Sequence, residues 1–96
     1  MHARVTISQT SPDKVDLAEK VVKEQVIPAA KKVPGFKAGY WLGDRASGKG
    51  ITVTLFESEA ALKESEAATQ TIRSEAAKAI GLDIVSIERF EVIAQA

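Results

Sequence analysis

Thr54-Leu55-Phe56-Glu57-Ser58-Glu59-Ala60-Ala61-Leu62 holds the end of an alternating apolar run and the start of a helix within a single turn. Ser58 is placed to accept a hydrogen bond from an amide of the first helical turn, Glu59 puts negative charge at the positive end of the helix dipole, and Phe56 closes the strand. A strand that feeds directly into a helix in the middle of a 96-residue chain leaves the fold to be decided by what flanks it.

Just upstream, Ile51, Val53 and Leu55 alternate with Thr52, Thr54 and Phe56, the period of a strand. Gly43-Asp44-Arg45-Ala46-Ser47-Gly48-Lys49-Gly50 is turn chemistry, and Phe36 to Leu42 before it reads as another strand, so the two form a β-hairpin. Ser47-Gly48-Lys49-Gly50 lacks the spacing and the following helix of a phosphate loop. In the earlier strand Phe36, Ala38, Tyr40 and Leu42 are expected opposite Lys37, Gly39 and Trp41. Farther back, Ala3, Val5 and Ile7 alternate with His2, Arg4, Thr6 and Ser8 in a first strand. Ser11-Pro12-Asp13 then opens a helix, with Ser11 as cap and Pro12 where a missing amide hydrogen costs nothing. Val15, Ala18, Val22, Val26, Ala29 and Val33 recur at helical spacing. Pro28 inside that pattern predicts a kink or restart, hence two segments, before Pro34-Gly35 ends it.

Downstream, the helix begun at Glu59 should run to about Ile80 and stop at Gly81. Its expected inward stripe is Ala61, Leu62, Ser65, Ala68, Ile72, Ala76 and Ala79. These are mostly small side chains, so the helix either lies close to the sheet or leaves a space. Ile84 to Ile93 supplies a last strand. The order βαββαβ predicts an α+β, ferredoxin-like domain over 1–96: one antiparallel four-stranded sheet with both helices on one face. Thr6, Thr52, Thr54 and Phe56 are expected on the other face, with either Tyr40 or Trp41. A half-apolar open face on a domain that buries only about 60–65% of its unfolded surface predicts a homodimer through a two-fold contact.

Thirteen basic residues balance thirteen acidic ones, so the chain lacks the cationic excess that holds nucleic acid or an anionic membrane. No cysteine means no disulfide framework and no thiolate nucleophile or ligand, which fits a reducing cytoplasm. No run reaches the roughly 18 apolar residues of a membrane span. Strand order alone would also allow an RNA-binding sheet. Lys49-Gly50 is followed by Ile51-Thr52-Val53, however, where such a sheet carries stacking aromatics.

Pro34-Gly35-Phe36 after the first helix, the hairpin, and Phe56-Glu57-Ser58-Glu59 with Leu62 leading into the second helix together resemble the dimeric α+β barrel superfamily, in particular antibiotic-biosynthesis-monooxygenase-like (ABM-like) domains. The resemblance implies sheets paired face to face into a barrel and a hydrophobic or aromatic small molecule, or haem, held between sheet and helices. The chain departs from that pattern at Phe56, where relatives usually carry Trp, and at Ser65, where His or Trp is common. The haem-degrading branch relies on an Asn in the first strand, a helical Trp and a downstream His. This chain has no Asn, places Glu75 at the His position, and has His2 as its only histidine. Neither a metal nor another cofactor is therefore expected.

Tyr40, Trp41, Phe56, Ser65 and Thr69 are the candidate substrate-binding residues, and no catalytic residue is assigned. The aromatic rings would contribute area and a polar handle to a pocket, or pack as core and interface. Tyr40 and Trp41 are adjacent on a strand, so at most one faces the helices. Ser65 and Thr69 would donate into a cavity or bond their own helix. His2 is either a general base or part of a frayed terminus. Arg4, Glu88, Arg89 and Glu91 either bind an anion or pair across a dimer interface. Two functions follow: a cofactor-independent monooxygenase acting on a hydrophobic or aromatic small molecule, or a non-catalytic dimeric binding or sensor module.

Overall fold

The computed structural model describes residues 1–96. β1 (His2–Gln9), β2 (Phe36–Gly43), β3 (Lys49–Phe56) and β4 (Asp83–Glu91) form one antiparallel sheet in the order β2-β3-β1-β4. The helical segments pack on one face, as the βαββαβ pattern predicts. The Ser58 hydroxyl accepts from the Ala61 amide at 3.0 Å and starts α3 (Glu59–Glu64). Gly81, at φ 78°, ends α4 (Glu66–Ile80) in the left-handed conformation. The β2–β3 turn is held by the Asp44 carboxylate, which accepts from the Ala46 amide and the Ser47 hydroxyl.

The first helical stretch divides into two α segments ahead of Pro28, joined by a wider turn. A 3-10 turn (Pro12–Lys14) leads into α1 (Val15–Val21), a π-helical turn follows over Val22–Val26, and α2 (Ile27–Ala30) completes the run. The Ile27 amide reaches back five residues to the Val22 carbonyl. The wider turn lies directly ahead of the proline, whose ring would otherwise crowd the carbonyl four residues earlier.

The face assignment predicted for the sheet is reversed. Arg4, Thr6, Thr52, Thr54 and Trp41 face the helices, and Phe56 beneath them is 1% exposed. The side away from the helices is apolar. Directly paired residues share a face, so Val5, Val53 and Tyr40 lie together there, as do Ile7, Ile51 and Leu42, and Ala3, Leu55 and Phe90. Tyr40 is 61% exposed, Leu42 54% and Phe90 49%.

Two irregularities shift the side-chain parity. One, between Phe36 and Ala38, places Phe36 on the helix side with Gly39 and Trp41, and its ring meets Phe56 edge-on at 5.9 Å between centroids. The other leaves Val85 unpaired between Ile84 and Ser86. β4 ends at Glu91, and Ile93 lies beyond it in solvent.

Ser65 splits the second helix, and the inward stripe differs on its two sides. Ala61, Leu62 and Ser65 are buried as expected, whereas Ala68 and Ala79 are exposed and Thr69 and Ile80 turn inward instead. The main apolar clusters are Val33, Phe56, Ala61 and Leu62 at one end of the sheet and Val21, Val26 and Ile80 at the other. Between them lies the space that the small residues of the helix allowed.

Candidate functional site

A cavity of about 120 Å³ sits between the sheet and α4. Arg4, Thr6 and Ser8 come to it from β1, Thr52 and Thr54 from β3, and Trp41 from β2. Thr69, Ile72, Arg73 and Ala76 form its roof on α4, and Val22, Val26 and Ala30 close one side. Every other residue along β1 and β3 points inward, so the threonine stripe expected on the face away from the helices is the cavity floor.

Trp41 stands over Gly39. A Cβ at Gly39 would lie 2.7 Å from two carbons of the indole ring, so glycine is what lets the ring lie back along its own strand. Trp41 also lines a second, outer groove of about 540 Å³ between α1 and the hairpin, which Tyr40, Val15, Ile27 and Leu42 help form. Cavity and groove share Ser8, Val22, Trp41, Thr52, Ile80 and Leu82 as walls. Arg45 sits at the groove, paired with Asp16 and, at 2.9 Å, with Glu19 of α1.

The polar end of the cavity is built on the break at Ser65. The Ser65 hydroxyl donates to the Leu62 carbonyl at 2.6 Å, and Arg4 Nη2 donates to the same carbonyl at 3.2 Å and to Ser65 Oγ at 3.0 Å. Arg4 also pairs with Glu66 at 2.9 Å, and its guanidinium carbon lies 5.5 Å from the centre of the Phe56 ring. The residue is 2% exposed, yet its Nε and Nη1 have no hydrogen-bond partner. Glu66 takes a bidentate contact from Arg89 at 2.6 and 2.8 Å. Arg89 foremost, and Arg4 after it, hold the Glu66 carboxyl at a pKa of about 2. Burial, and then the charge of Arg4, lower the Arg73 guanidinium from its ordinary value.

Of the candidate residues, Trp41 and Thr69 line the inner cavity together, and Tyr40 lines only the outer groove. Phe56 and Ser65 line neither: Phe56 is packed in the core and Ser65 spends its hydroxyl on Leu62 and Arg4. Thr69 donates to the Ser65 carbonyl at 2.8 Å, which leaves its oxygen able to accept. His2 is ordered within β1, opposite Phe56 and Glu91, and lies 3.6 Å from Glu59, away from the cavity. The expected cluster of Arg4, Glu88, Arg89 and Glu91 does not form, because Glu88 pairs with Val5 on the open face while Arg4 and Arg89 meet Glu66 under the helix. Arg4, expected either to bind an anion or to pair across an interface, lines the cavity, and Arg73 lines it without any signal in the sequence pattern.

No Asp, Glu or His lines the inner cavity, and no three metal-ligating side chains come together in the structure. No helix is long and apolar enough to cross a membrane.

A four-stranded ferredoxin-like sheet carries its helices on one face, with an apolar cavity under the second helix, an α+β architecture. No known family profile and no curated protein sequence matches the chain. Solved structures do, and the fold they share with it is that of the antibiotic biosynthesis monooxygenases. HapK from Hahella chejuensis superposes with a TM-score of 0.77 at 13% identity, over 100% of this chain and 96% of that one. A monooxygenase from the gene ActVA-Orf6 of Streptomyces coelicolor, in complex with nanaomycin D, gives 0.71 at 14% identity over 99% and 88%. SnoaB, a cofactor-independent oxygenase from Streptomyces nogalater, gives 0.70 at 15% identity over 98% and 94%.

Proposed function

We propose that the chain binds a planar, largely apolar aromatic molecule beneath α4 and oxidises it with dioxygen without a resident cofactor. The observation that carries this reading is the apolar cavity walled by a single indole. It is supported by the fold shared with a cofactor-independent oxygenase and with a monooxygenase crystallised with nanaomycin D. A cavity of about 120 Å³ approaches the roughly 150 Å³ that accepts benzene in an engineered protein core, so it fits one ring. The outer groove accepts further rings, with Trp41 between the two. Trp41 and Thr69 are proposed to touch the reacting ring and Tyr40 its outer part, while Phe56 and Ser65 act from behind by fixing Arg4.

In such chemistry the substrate itself supplies the electrons. An acidic ring CH₂ loses a proton, the carbanion passes one electron to dioxygen, and the radical pair collapses to a peroxide. Loss of the second proton with cleavage of the O–O bond leaves a ring carbonyl and water. The protein's share is to bind, to stabilise the anion and to keep bulk water out. Oxygen uptake with an anthrone-type substrate, together with saturable quenching of Trp41, tests the proposal. No quenching by any aromatic ligand refutes it.

The absence of a carboxylate or histidine from the cavity lining favours a second reading, a non-catalytic sensor or carrier, which saturable binding without oxygen uptake would establish. The apolar open face around Tyr40, Leu42 and Phe90 supports a homodimer, the arrangement in which one face meets its own copy across a two-fold axis. A cysteine-free chain suits a cytoplasmic setting.

A further inference from the structure

We infer that the inner cavity takes its ligand as an oxyanion, an aromatic carboxylate, phenolate or enolate whose charged oxygen accepts from the guanidinium nitrogens that Arg4 leaves free, with Arg73 as the second cation. The inference rests on the reading of the cavity as an aromatic site, and it adds the charge state and the residues that select it.

Arg4 is almost wholly enclosed, it lines the cavity, and only its Nη2 is committed to protein acceptors. A buried N–H on a charged group is costly to leave without an acceptor, and charge-assisted bonds to such groups are among the strongest a site can offer. The near neighbours do not supply that acceptor. No hydroxyl of Thr6, Thr54 or Thr69 bonds to Arg4 Nε or Nη1, and Glu66, which meets Arg4 at Nη2, is already held by Arg89 on two contacts.

Charge points the same way. Arg4 and Arg73 line the cavity and Arg89 stands behind Glu66, so three cations face one carboxylate. That surplus in an apolar enclosure favours an anion over a neutral ring. It also bears on the missing base, since nearby cations lower the pKa of a bound phenol or CH acid, so that the ligand ionises by giving its proton to solvent water rather than to a protein carboxylate.

Matched probe pairs test this by calorimetry on the full chain, with the single tryptophan, Trp41, as a fluorescence reporter at the site. Benzoate is compared with benzamide, and 4-nitrophenolate with 4-nitroanisole. The first pair reports on carboxylates and the second on phenolates. In the native chain an anion should bind at least about tenfold tighter than its neutral partner in one pair or both. Arg4→Met should abolish that preference, and Arg73→Met should reduce it severalfold. Because Arg4 also caps the Leu62 carbonyl, Arg73→Met on the α4 surface of the cavity decides the matter if R4M does not fold. Equal affinity within both pairs, or a preference unchanged in the folded variants, overturns the inference. Binding of the neutral probes without anion preference leaves the aromatic site standing. If neither charged nor neutral probes bind, the aromatic reading itself falls.

Discussion

Replacing Ala76 by leucine asks the cavity to choose between stability and occupancy. Ala76 lies on the roof, half-buried, against the cluster of Val21, Val26 and Ile80 that also touches Trp41. Leucine adds three carbons, and at about 0.8 kcal/mol for each buried methylene the gain is at most about 2.4 kcal/mol. Fixing the leucine side chain costs about 0.5–1 kcal/mol, which leaves about 1.5–2 kcal/mol. At about 4–8 °C per kcal/mol for a domain of this size, Tm should rise by roughly 6–15 °C. Thermal unfolding followed by circular dichroism measures that shift, and titration with an aromatic probe measures the expected loss of binding. A lower Tm would mean that the space is not there to be filled. Unchanged affinity would mean that ligands bind elsewhere, and either result refutes the reasoning.

Glu66 gives a signed pH prediction. Its folded pKa of about 2, set mainly by Arg89, lies below the ordinary value of 4.5, so its contribution is present above about pH 4.5 and is lost as pH falls towards 2. The side chain is 36% exposed, so after solvent screening Glu66→Gln should cost only about 0.5–1 kcal/mol at neutral pH. The Tm gap between the two proteins should narrow between about pH 4.5 and 2, and a gap undiminished at pH 2 would contradict the assignment. Gly48 sits at φ 79°, where an added Cβ would lie 1.9 Å from the Thr10 carbonyl oxygen. Gly48→Ala should therefore cost at least about 1–2 kcal/mol from the left-handed backbone alone, seen as a lower urea midpoint at unchanged slope. Leu42→Glu places a charge on the proposed self-contact, and light scattering should find the monomer where the native chain is a dimer; a native chain that is itself monomeric at high concentration would dispose of the dimer. Gly39→Ala must push the Trp41 ring off its strand, which emission wavelength and probe affinity should both register.

Element order, the hairpin, the Ser58 cap and the Gly81 stop were all legible, because each rests on local chemistry that no distant contact overrides. Which side of the sheet the helices cover was not. Alternation separates Val5 from Thr6 but does not say which one meets the helices, and here the polar stripe goes under them because it lines a cavity rather than a dry core. The bulges at Lys37 and Val85 each move the side-chain register by one residue, which regular alternation cannot anticipate. Trp41 and Thr69 were recognisable from residue type and position. Arg4 was legible only as one of two alternatives, an anion binder or an interface ion pair, because the burial that separates them does not show in a strand that alternates charge with apolar residues.

The broad turn at Val22–Val26 and the proline that follows it behave as one unit. A π turn carries one residue more than an α turn covering the same rise, so removing Lys23, Glu24 or Gln25, all exposed, would return the stretch to ordinary winding and keep both flanks in phase. The ring of Pro28 would then collide with the narrowed coil. Shortening the stretch is thus tolerable only alongside exchange of the proline, a pairing that ties the length of this arm to one imino acid.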